Sequence, residues 1–181
     1  KKNSDIIILA TVFATIGIGS GAFHSIPNQA TLLLDVIPIA IFIHLYITVF
    51  FVRIIGLKIW QAIIVLSIFI GAGILSENTF DPDTLNGTIM YVPTYAMLLF
   101  MSSLIFLTKK QGAKYLLITT FIWTFSLIFR TFDEQWCSQT QHLGTHFMWH
   151  ILNSVVLYRC LKLLILNKPS SSISSPVQLP H

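Results

Sequence analysis

The chain has 181 residues, of which 54% are hydrophobic and 10% charged, and its mean hydropathy is +0.76. A water-soluble domain of this length needs far more charge to cover its surface, so the composition excludes an ordinary soluble globular protein. The net charge of +4 raises a nucleic-acid reading that the placement of the charges removes below, and two cysteines, Cys137 and Cys160, are too few for a disulfide scaffold and lack zinc-finger spacing.

Six apolar runs follow one another, at about 5–25, 32–52, 59–75, 90–108, 114–130 and 146–166. Each is near the roughly 17 to 25 residues that a helix needs to cross a hydrocarbon core. The first run is too long for the apolar region of a signal peptide. It leads through Gly17, Gly19, Ser20 and Gly21 into His24 rather than a cleavage site. Small residues spaced in this way let helices approach closely in a bilayer, a reading preferred to a phosphate-cradling loop. His24 falls in the last turn of that helix, before the turn-like Ser25-Ile26-Pro27-Asn28. The second run carries Asp35 about one turn in, and His44 further along, read as hydrogen-bonded between helices. At the end of the fifth run Arg130 and Asp133 stand three apart, the spacing of a structural ion pair. The sixth run opens on G-T-H-F-M-W-H, with His146 and His150 four residues apart. His142 is read, like His44, as hydrogen-bonded between helices, and His181 as part of the tail. Trp60, Trp123, Trp136 and Trp149 fit interface anchoring or core packing. Residues 168–181 are Ser/Pro-rich and expected to be disordered. The expected fold is an all-α polytopic transmembrane helix bundle over residues 1–167. The start at Lys1 rather than Met leads us to expect a segment upstream.

The charges assign a topology. Lys1, Lys2, Arg53, Lys58, Lys109, Lys110, Lys114, Arg159, Lys162 and Lys168 all fall at alternate ends of the six runs, hence on one side. Glu77, Asp81, Asp83, Asp133 and Glu134 fall on the other, with Arg130 as its one basic residue. That asymmetry is the positive-inside pattern, and it places both ends of the chain in the cytoplasm. The basic charge follows from topology and needs no nucleic acid.

Ionisable side chains inside a bilayer are costly and mark function. Antiparallel runs bring His24, Asp35, His146 and His150 to one depth near the non-cytoplasmic face. Ser20 lies four residues before His24, on the same helix face. An H-x-x-x-H pair lets two imidazoles reach one metal. Three His ligands leave the fourth position of a tetrahedral zinc open, as in hydrolytic sites, although imidazole also suits iron and copper. Water on such an ion becomes a nucleophile near neutral pH. A carboxylate can take its proton and a hydroxyl can stabilise an oxyanion. Asp35 could instead serve a proton relay or ion path, as in transporters.

Four stretches together resemble the alkaline ceramidase family, within a superfamily of seven-span membrane hydrolases and receptors. They are G-S-G-A-F-H at 19–24, L-D-V-I-P at 34–38, D-E-Q-W-C at 133–137 and H-F-M-W-H-I-L at 146–152. The Ser, His, Asp and H-x-x-x-H skeleton is shared with adiponectin-type receptors and haemolysin-III-like proteins, whereas the D-x-[IL]-P and W-H-I-L details are more similar to the ceramidase branch. The resemblance implies zinc on His24, His146 and His150, Asp35 as general base and then proton donor, and Ser20 at the oxyanion. It implies hydrolysis of the amide of an N-acyl sphingoid lipid such as ceramide. It also implies a seventh helix before Lys1, calcium bound by acidic residues there, and an N-terminal partner for Cys137. The D-V-I-P stretch departs from the D-E-L-P frequent in eukaryotic relatives, which leaves the exact substrate open. A lipid-sensing receptor with little or no turnover is the alternative. A transporter ranks last, because no internal repeat or midplane site is visible.

Overall fold

The computed structural model describes residues 4–137 and 144–167. These form α1 (Ser4–Ser25), α2 (Gln29–Phe50), α3 (Ile59–Thr79), α4 (Val92–Leu107), α5 (Ala113–Thr131), the short α6 (Asp133–Cys137) and α7 (His146–Leu166). A π-helical turn, Phe51–Ile55, extends α2, and a 3-10 turn, Thr88–Tyr91, leads into α4. Among the described residues there is no strand. His142, His181 and the tail from Lys168 lie outside the described residues.

Six of these segments are long and apolar enough to cross a membrane: 4–25, 29–55, 59–79, 88–107, 113–131 and 146–166. Helices are the natural solution there, since each backbone N–H and C=O finds its partner within the segment when water is absent. The distribution of polarity agrees. Ile7, Ile18, Ile68, Leu75, Leu107 and Phe121 are among many large apolar side chains left exposed, which suits lipid and not water. The buried positions include hydroxyls: Ser102 bonds Thr120 across α4 and α5 at 2.7 Å, and Tyr95 bonds Thr124 at 2.8 Å. Such bonds hold helices together where lipid tails remove the hydrophobic drive between them. The chain is a multi-pass membrane protein with an all-α bundle.

Local chemistry sets the boundaries. Asn28 caps α2, its side-chain oxygen accepting from the N–H groups of Ala30 and Thr31 at 2.9 and 3.0 Å. The Thr31 hydroxyl accepts in turn from the Asn28 N–H at 3.0 Å. This cap starts the helix at Gln29, before the apolar run begins, so Asp35 lies closer to two turns in than to one. At the opposite end of the bundle the side chain of Arg53 is largely covered. Its Nη1 meets Asp5 Oδ2 at 2.6 Å, and its Nε points to the Asn167 carbonyl at 3.4 Å. One side chain thus ties the start of α1 to the ends of α2 and α7.

Two expectations from the sequence are corrected. Arg130 forms no ion pair with Asp133. Its guanidinium lies over the rings of Tyr91 and Trp149, at 5.1 and 4.9 Å from their centroids, while Asp133 turns to the start of α7. α5 ends at Thr131, so the two residues do not share the helix that the i, i+3 argument requires. His44 bonds within its own helix, Nδ1 to the Ala40 carbonyl at 2.5 Å. Across the helix gap it offers only a ring edge to Phe69. Of the tryptophans, Trp123 and Trp149 are buried and Trp60 faces outward.

α1 and α2 come close together at Gly19. A Cβ there would collide with the Leu34 carbonyl and crowd the amide of Asp35. Pro38 explains why that carbonyl is available, because a proline has no N–H to return to the residue four positions earlier. Gly19→Ala should therefore destabilise the protein in detergent by about 1–3 kcal/mol through overpacking. Gly17→Ala meets nothing within 4 Å and should be neutral or stabilising by up to about 1 kcal/mol. Thermal melts of both variants check the pair. Equal shifts would mean that Gly19 is no contact point.

Candidate metal centre

The three histidines that share a depth in the sequence argument meet in space. His24 occupies the last turn of α1, and His146 and His150 occupy the first two turns of α7. One nitrogen from each ring lies within 4.8 Å of the others, and His24 Nε2 is 3.0 Å from His150 Nε2. Zinc–nitrogen bonds of 2.0–2.1 Å at a tetrahedral angle set neighbouring nitrogens about 3.3 Å apart. The 3.0 Å spacing is close to that value and the third nitrogen is within reach, so the donor set fits an imidazole-preferring divalent ion. The rings meet edge to face, with His24 and His146 each 4.7 Å from His150 between centroids.

The surroundings fix the two rings on α7. Trp149 is buried against both, 5.6 Å from His146 and 4.5 Å from His150 between centroids. The Trp149 carbonyl accepts from the buried Ser126 hydroxyl at 3.1 Å, which anchors this turn to α5. His24 is the exposed member, held on the outer edge by Phe23.

Ser20 and Asp35 line the same cleft as the three histidines, a space of about 730 Å³ between α1 and α7 with α2 at its floor. The α1–α2 contact at Gly19 explains how they meet: Ser20 follows Gly19, and Asp35 follows Leu34, the residue Gly19 touches. Gly17 and Gly21, with no neighbour against them, leave the cleft wall low. All five expected residues thus converge on one cleft. Its size falls within the roughly 300–1,000 Å³ of small-molecule sites. Ile39, Asn153 and Leu157 line both this cleft and a narrow apolar cavity that runs into the bundle between α2, α4, α5 and α7.

Sequence reasoning missed several contributors. Asn153 has no motif around it and enters because it lies three residues, nearly one turn, beyond His150. Phe13 enters from α1 two turns before Ser20. A helical-face reading from the histidines would have reached both. Trp149 and Asp133 stood within the quoted stretches, with no spacing signal for what they touch. Comparison of the chain with family models, with curated proteins and with solved structures finds no match.

Proposed function

We propose that the chain is a zinc-dependent lipid amide hydrolase acting within the membrane, ceramidase-like in chemistry. The observation that carries this reading is the meeting of three imidazoles with a carboxylate and a hydroxyl in one lipid-level cleft. Zinc on His24, His146 and His150 would supply Lewis acidity and lower the pKa of water toward about 7. The remaining work belongs to the side chains. Asp35 takes the proton as a C–O bond forms from water to the acyl carbon. It returns that proton to the nitrogen as the C–N bond breaks, so fatty acid and free amine leave together. The Ser20 hydroxyl donates a hydrogen bond to the charge that develops on the acyl oxygen, keeping its proton. The apolar wall formed by Phe13, Ile16, Ile39 and Leu157 suits acyl chains and not a peptide or sugar. This favours an N-acyl lipid of the ceramide kind.

The charge pattern supports a topology in which the Arg53 end is cytoplasmic and the metal centre lies near the opposite face. Lys58, Lys109 and Lys110 flank helix ends on the Arg53 side, while Asp81 and Asp83 lie in the connection on the other.

The test is release of fatty acid from ceramide by the purified protein in detergent, with and without a strong chelator. Turnover that the chelator abolishes and zinc restores is the expected result. If zinc binds one per chain and no fatty acid appears from ceramide or other N-acyl lipids, the hydrolase reading gives way to a lipid-sensing receptor.

A further inference from the structure

We infer that Asp133 is a positioning residue for the metal centre, holding the His146 ring in the tautomer that presents Nε2 to the ion. This rests on the metal reading above. Asp133 lies on α6, thirteen residues before His146, and its two carboxylate oxygens have different tasks. Oδ1 accepts from the backbone N–H groups of Thr145 and His146 at 2.5 and 2.8 Å, which caps the first turn of α7. Thr145, at the usual capping position, directs its own hydroxyl to the Phe129 carbonyl at 2.9 Å, with a longer 3.3 Å approach to Oδ1. Gly144 makes room for the carboxylate. It adopts φ +67°, and a Cβ there would stand 2.7 Å from Oδ1.

Oδ2 is the second device. It lies 3.7 Å from His146 Nδ1. That is longer than a hydrogen bond, and a carboxylate, which is negatively charged and offers only acceptors, favours the neutral ring form with its proton on Nδ1. The lone pair is then on Nε2. Carboxylates behind metal-bound imidazoles act in this way, fixing ring orientation and raising ligand basicity. His24 and His150 have no such partner among the described residues, so Asp133 governs one ligand of the three.

A plain capping residue would show the same Oδ1 bonds, and substitution separates the two roles. Asp133→Asn keeps an acceptor for the two N–H groups, and asparagine caps helices as well as aspartate. Its NH₂ now faces Nδ1 as a donor and favours the proton on Nε2, the tautomer that cannot bind metal there. Asp133→Ser places no carboxylate behind the ring, and its hydroxyl, one bond shorter than Oδ1, also weakens the cap.

The experiment uses the full chain in detergent, stripped of metal and titrated with zinc against a chromophoric chelator, then with cobalt to read its absorption bands. Asp133→Asn is expected to melt near the wild-type temperature without metal, and both variants are expected to bind zinc about 10–100-fold more weakly, with altered cobalt bands. Wild-type affinity and wild-type cobalt bands in whichever variant folds would reduce Asp133 to a helix cap, with the metal centre intact. A wild-type chain that takes up neither ion would overturn the metal centre itself, and the role of Asp133 with it.

Discussion

His146→Ala is expected to abolish stoichiometric metal binding, dropping the content of the purified protein from about one ion per chain to none. The expectation follows from ligand number. Three imidazoles gathered within 4.8 Å supply all the protein ligands that a hydrolytic zinc site uses, and two leave too few bonds to compete with water. Loss should exceed the roughly 10–100-fold that changes behind a ligand cause. His150→Ala should behave alike, since His150 sits at the centre of the trio, with both other rings packed on it. His44→Ala is the control. That ring packs on Phe69 and lines a different cleft, between α2, α3 and α4, so its removal should leave the metal content unchanged. Elemental analysis of the three variants, after identical purification, decides the matter. Undiminished zinc in His146→Ala would mean that the ion, wherever it sits, does not depend on this cluster.

Most of the bundle was legible because lipid imposes few solutions. A run such as Ile59 to Leu75, with no charge and no break, has only a helix available to it in hydrocarbon, and α3 accordingly covers it from Ile59 and continues to Thr79. The meeting of the three histidines was legible for a related reason. An even number of crossings returns the sixth helix to the face where the first one ends, so His24 and His146 had to share a depth. Lateral placement was not given by that argument, and here the structure adds the Gly19–Leu34 contact that sets Ser20 beside Asp35. What stayed hidden were partners between helix ends. Arg130 and Asp133 looked like a pair because they are close in sequence, but the chain turns between them. Each is claimed by something distant: Trp149 and Tyr91 for the cation, the start of α7 for the carboxylate. Spacing rules describe neighbours on a continuous helix, and they lose force where the helix stops. The family resemblance rests on the four quoted stretches alone, which is why the side-chain tests carry the functional reading.

Asp35→Asn is expected to bind zinc as the wild type does and to lose turnover by about 10²–10⁴-fold, the usual worth of a positioned acid–base group. The separation of the two effects is the informative part. Asp35 lines the cleft from α2, whereas the nitrogens that gather on one point come from α1 and α7, so the carboxylate is not needed to complete the ligand set. Asparagine matches it in size and keeps one acceptor oxygen, which leaves the half-buried position filled and the Gly19 contact undisturbed. It cannot accept and return a proton at neutral pH. A fall in turnover with unchanged zinc content and melting temperature thus assigns Asp35 to proton transfer. Were Asp35 a ligand instead, zinc affinity would fall with activity. Were it an ion-pathway carboxylate in a transporter, the substitution would alter ion flux through reconstituted vesicles and no lipid product would exist to measure. Full activity in Asp35→Asn would sink the proton-transfer role outright, and the search for the base would then turn to the other polar groups that line the cleft.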